Sequence, residues 1–165
     1  MTALRLLGIF LHVIGGIAMI AGLVGRELVR AQARRATDIG TFVTLTGVAG
    51  RFERLLVIPG SLAVFVLGVA TSWRGGWPLF GFLQGAASNW LLASLILYFA
   101  PYLLVAGVFL PRGKDFDRAL TGAVAAGRIT ADLTAAFDDR LVRLAHYAEA
   151  IIIVLILYLM IVKPF

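Results

Sequence analysis

The sequence predicts an all-α integral membrane protein: four membrane-spanning helices in an up-down-up-down bundle, with both termini outside. Three observations carry this. The 165-residue chain is 61% hydrophobic and 15% charged, where soluble domains average roughly 45–50% and about 25%, and its mean hydropathy is +0.95. Four apolar runs each approach the ~20 residues that carry a helix across a hydrocarbon core about 30 Å thick. The basic residues are divided unevenly between the connections, as they are in membrane proteins of fixed orientation. The absence of cysteine excludes a disulfide scaffold and any cysteine-based metal or redox centre. No stretch reads as an interdomain linker, so residues 1–165 are expected to form a single transmembrane domain.

The first run, about 4–25, has no charge after Arg5. It starts near Met1, but it is longer than a signal-peptide core and no clear basic region precedes it, so it is expected to be retained as a helix. Arg26-Glu27-Leu28-Val29-Arg30 continues its pattern and predicts a helix that projects past the bilayer. Residues 39–50 are mildly apolar and rich in threonine, glycine and valine; they lie at the interface or extend the next helix, and periodicity leaves both readings open.

The second run, 55–73, is uncharged and contains Pro59. Trp73-Arg74-Gly75-Gly76-Trp77-Pro78 follows as a turn between interfacial tryptophans. The third run, 90–110, is uncharged with Pro101 near its centre, and prolines within spans kink helices and free carbonyls. Thr130-Ala131-Asp132-Leu133 reads as an N-capped helix start. The fourth run, 141–162, carries Arg143 and Glu149. Lipid offers no partner to open backbone, so these runs are helices, and they lack the period-two alternation of a membrane barrel.

Arg26, Arg30, Arg34, Arg35, Arg51 and Arg54 lie between the first two runs, and Arg112, Lys114, Arg118, Arg128, Arg140 and Arg143 between the last two or at their edge. Only Arg5, Arg74 and Lys163 remain. Twelve against three places both long connections on the cytoplasmic side. The net charge of +6 is therefore a topology signal, with affinity for anionic lipid headgroups as its secondary consequence. Nucleic acid is not an expected partner.

Two histidines, His12 and His146, fall inside predicted spans, where an ionisable residue is a functional candidate; a neutral histidine bonded across helices is the simpler alternative. Gly8, His12, Gly15, Met19 and Gly22 share one helix face by spacing. That face is either a seam for a closely packed helix or the face of a b-type haem, with His12 ligating its iron and Gly8, Gly15 and Met19 against the ring. His146 and Glu149, three apart, form either a proton-handling pair or part of an interfacial cluster with Arg143. The depths of the two histidines differ by roughly 11 Å when counted at 1.5 Å per residue, which disfavours one upright haem held by both. Of the two, His12 has its polarity less explained by topology. Tyr98 and Tyr102 flank Pro101 on one face, lining a cavity or packing as aromatics. No nucleophile elbow, phosphate-binding glycine loop or His-Glu-x-x-His is present, and three methionines without cysteine support copper handling poorly.

Leu11-His12-Val13-Ile14-Gly15-Gly16, Gly22, Phe52-Glu53-Arg54-Leu55-Leu56-Val57-Ile58-Pro59, Gly68 and the closing Leu159-Met160-Ile161-Val162-Lys163-Pro164 together resemble the bacterial integral membrane proteins of domain-of-unknown-function family 2269. The resemblance covers nearly the whole chain. It implies four helices in a bacterial inner membrane and, by itself, no activity. The first helix also resembles those of the copper-resistance D membrane domain and of the oxygen-independent bacterial protoporphyrinogen oxidase. In the oxidase a first-helix histidine is linked to haem, and His12 alone matches that position. The oxidase also has a lysine in a later helix, where the third span here has none, and an aromatic residue after the histidine, where Ala18-Met19 stands here.

Two function classes follow. One is a non-catalytic membrane subunit or scaffold that packs against lipid and against partner helices, from another protein or a second copy. The other is a membrane redox protein holding haem b on His12, with His146 and Glu149 handling protons.

Overall fold

The computed structural model describes residues 3–165. Among the described residues there is no strand, and four helical stretches are long and apolar enough to cross a membrane, as the composition requires. The chain forms two compact units, Met1–Trp77 and Pro78–Phe165.

In the first unit, α1 spans Ala3–Ala33. At 31 residues it is about 46 Å long, well beyond what a core of about 30 Å requires. The second helical rod comprises α2 (Ile39–Phe52), a π-helical turn (Glu53–Val57) and α3 (Ile58–Arg74). Residues 39–50 thus extend the second span. Asp38 caps α2 by accepting a hydrogen bond from the Thr41 N–H at 2.8 Å. The Thr41 backbone and side chain are the main causes that hold the Asp38 carboxyl below its usual value. Its contribution is present above the usual carboxylate range and is lost as pH falls through the lowered value.

The π turn has a local cause. The Ile58 N–H bonds to the Glu53 carbonyl, five residues back. Pro59 follows with no N–H to give, and its ring presses on the carbonyl four residues before it. One extra residue in the turn relieves that clash. α1 and this rod run antiparallel: Gly8 faces Thr71, Gly15 faces Ala63 and Gly22 faces Leu56.

In the second unit, a 3-10 turn (Gly81–Gln84) precedes α4 (Trp90–Leu104), a second π turn (Val105–Phe109), α5 (Leu110–Ala125), α6 (Ala131–Phe137) and α7 (Arg140–Val162). The same device recurs, since the Leu110 N–H bonds to the Val105 carbonyl immediately before Pro111. Helix therefore continues beyond the 90–110 span as α5, where Pro111 and the charges after it had read as the start of a connection. Pro101 is accommodated inside α4.

Thr130 caps α6 by accepting from the Leu133 N–H at 3.2 Å, as its sequence predicts. Asp139 caps α7 by accepting from Leu141 and Val142. α5 and α6 fold together around Ala123, Leu133 and Phe137, all buried, with the Phe116 and Phe137 rings 5.9 Å apart. α4 and α7 run antiparallel. At one end the Asn89 and Trp90 N–H groups both donate to the Phe165 carbonyl, and the Lys163 ammonium lies 5.2 Å from the Trp90 ring. At the other end Phe109 stacks on His146.

Candidate functional site

The glycine face of α1 is a helix seam. A Cβ on Gly8 would lie 2.8 Å from Thr71 Cγ2, on Gly15 3.0 Å from Ala63 Cβ, and on Gly22 2.8 Å from Leu56 Cβ. From the facing helix, Gly60 approaches so closely that its Cβ would meet the Met19 nitrogen at 2.8 Å and the Gly15 oxygen at 2.9 Å. The backbones touch because neither helix carries a side chain there. Of the two readings of this face, close helix packing is the one the geometry occupies: the surface of Gly8, Gly15 and Gly22 that would lie against a flat ring is filled by α3 and the π turn.

His12 sits in the same seam. Its Nδ1 lies 2.9 Å from the Val64 carbonyl oxygen. A carbonyl only accepts, so Nδ1 is the donor in this bond, and a neutral imidazole so bonded carries its lone pair on Nε2. Gly68 admits the ring, because a Cβ there would stand 3.0 Å from His12 Cε1. The bond offsets the cost of burying an imidazole, which is on the order of 1–3 kcal/mol when unpaired. Among the described residues no hydrogen bond or ion pair engages Nε2.

At the Gly22 end of the seam, Arg26 is buried at 9% exposure. Its Nη1 donates to Glu53 Oε2 at 2.6 Å and its Nε to Glu27 Oε1 at 3.3 Å. Glu53 opens the π turn, so this pair ties that turn of the second rod to α1. In the sequence Arg26 reads as a topology charge and as part of the extension of the first helix, and its pairing with Glu53 is not legible there. The available signal was Pro59, which foretells a disturbed turn just where an acid stands.

In the second unit, His146 Nδ1 and Glu149 Oε2 are 3.5 Å apart, with the two side chains 12% and 14% exposed. The imidazole stacks on Phe109 at 4.7 Å between ring centroids, so the second π turn supplies its wall. Arg143 is exposed and stands outside this cluster. The structure therefore brings His146 and Glu149 together, and the spacing of three predicts that much. Tyr98 and Tyr102 hydroxyls lie 3.1 Å apart, with Phe99 edge-on to Tyr98, an aromatic packing group. Among the described residues no three histidine or carboxylate side chains gather to hold a metal ion.

A protein family described as "Predicted integral membrane protein (DUF2269)" matches residues 6–164. No curated protein and no solved structure matches the chain.

Proposed function

The chain belongs to the DUF2269 family of predicted integral membrane proteins, and on that premise we propose that it is a non-catalytic membrane subunit whose exposed helix faces pack against lipid and a partner helix. It is a multi-pass membrane protein, with four candidate spans. The proposed setting is a bacterial cytoplasmic membrane, with the basic connections on the cytoplasmic side.

One observation carries the subunit reading. While α1 spends its glycine face on the second rod, Leu7, Phe10, Ile14, Ile17, Ala21, Val24 and Leu28 remain exposed. Among the large ones the least exposed is Ile14, at 45%. Alternate spacing of three and four along three heptads is the register in which a second helix packs as knobs into holes. The seam covers about 32 Å, the whole depth of a bilayer core.

The test uses the native lack of cysteine. Single cysteines placed along α1 in membranes, treated with a short bis-thiol reagent, are expected to yield dimers or adducts at 10, 14, 17 and 24. Positions 12, 15 and 19 are expected to stay unlinked. Self-crosslinks indicate a homo-oligomer and heavier adducts a second subunit. A flat profile, with the protein monomeric in mild detergent, defeats the reading.

A second reading has one specific observation in its favour. The Val64 bond fixes His12 in the tautomer that leaves Nε2 to ligate a haem iron. The glycine surface does not fit a ring, so the group would be held from the Nε2 side alone. Haem-replete expression followed by a visible spectrum checks it. The expected result is a Soret band that His12→Ala removes and His146→Ala retains, and a parent protein without the band ends this reading.

A further inference from the structure

Arg51 and Arg54, three residues apart, stand at the inner end of the second span. Both are exposed, and no hydrogen bond or ion pair reaches either of them among the described residues. Other arginines on the basic side are neutralised: Arg26 by Glu53, Arg112 by Asp139 and Arg118 by Asp115. Glu53 lies between Arg51 and Arg54 in sequence, but at one and two residues' distance on a helix it faces neither. Arg26 holds it in a 2.6 Å pair instead. A Cβ on Gly47 would meet nothing within 4 Å, and one on Gly50 would meet only the Arg54 guanidinium at 3.8 Å. The surface beside these cations is thus open.

Directly beyond them runs an apolar track. Leu55, Ile58, Leu62 and Val66 are 69%, 54%, 59% and 52% exposed, one to each turn of the rod. From Leu55 to Val66 the track is about 16 Å long at 1.5 Å per residue, the depth of one leaflet of a core about 30 Å thick. Two uncompensated guanidinium groups at headgroup level, followed by one leaflet's length of open apolar helix, match the head and acyl chain of an anionic phospholipid.

We infer that Arg51, Arg54 and the track from Leu55 to Val66 form a binding site for an anionic phospholipid of the cytoplasmic leaflet. The site depends on membrane insertion and not on any partner subunit, so a chain that proves to be a lone monomer leaves it standing.

Native mass spectrometry of the full chain in mild detergent tests it, with phosphatidylglycerol titrated against phosphatidylcholine. The parent is expected to retain phosphatidylglycerol preferentially. Each arginine near an anionic surface is worth about five-fold in affinity, so Arg51→Gln with Arg54→Gln is expected to lower retention roughly thirty-fold. Lysine at both positions should restore most of it. Arg35→Gln with Arg128→Gln removes the same charge from exposed, unpaired positions and should change little. Equal loss in that control would show diffuse attraction and overturn the site. So would equal retention of phosphatidylcholine, or displacement of the lipid by inorganic phosphate at matched concentration, which would make free phosphate the ligand.

Discussion

Glu53→Ala is expected to destabilise the protein by about 3 kcal/mol, because it takes from the buried Arg26 guanidinium its shortest charge-assisted hydrogen bond, 2.6 Å long. Arg26 remains buried at 9% exposure, and its second carboxylate, Glu27, is more distant at 3.3 Å and 42% exposed. Water therefore screens the surviving pair. For a chain of this size the loss corresponds to a thermal midpoint roughly 6–12 °C lower in detergent. The double variant Arg26→Met with Glu53→Gln is expected to recover most of it, since a neutral pair of similar size leaves no charge without its counterpart. Hydrogen exchange at residues 53–57 should rise in Glu53→Ala and stay near the parent level in the double variant. A single variant as stable as the parent would show that the pair ties nothing.

The second large effect concerns Gly60. An alanine there places its Cβ 2.8 Å from the Met19 nitrogen and 2.9 Å from the Gly15 oxygen. These are backbone atoms of α1, which no side-chain rotation moves aside, so α1 and α3 must separate along the seam. Overpacking of this kind costs about 1–3 kcal/mol, and Gly60→Leu should exceed that and detach the helices. Gly47→Ala supplies the comparison. Its Cβ meets nothing within 4 Å, and alanine improves on glycine in a helix by about 1 kcal/mol. Thermal melts should therefore move in opposite directions for the two substitutions. If Gly60→Ala also melts at or above the parent temperature, the seam is looser than the structure describes.

The helix start at Thr130 shows how far local sequence reaches. Thr130-Ala131-Asp132-Leu133 announces its cap because the bond it makes, to the Leu133 N–H, closes within three residues. His146 and Glu149 are likewise legible, being neighbours on one helix. The continuation through Pro111 into α5 was not, because proline and charge mark helix ends as often as they mark a turn widened by one residue. The π turns resolve that ambiguity only once the Glu53–Ile58 and Val105–Leu110 bonds are seen.

The glycine face illustrates the same limit. Spacing places Gly8, His12, Gly15, Met19 and Gly22 on one side of α1, but a flat face reads alike whether a ring or a helix lies against it. The structure puts Thr71, Ala63 and Leu56 there and turns the His12 Nδ1–H to Val64, 52 residues away.

Sequence alone determined the all-α class, the four apolar spans and the division of basic charge between the connections. Those properties follow from hydropathy and charge counted along short windows, and the cost of exposing backbone to lipid makes the window sum decisive. Tertiary structure decided which face of α1 packs on its neighbour, which His12 nitrogen donates and which arginines pair with an acid. Each of those depends on a partner far along the chain, such as Glu53 for Arg26 across 27 residues, and interactions at that distance leave no periodic trace in the sequence.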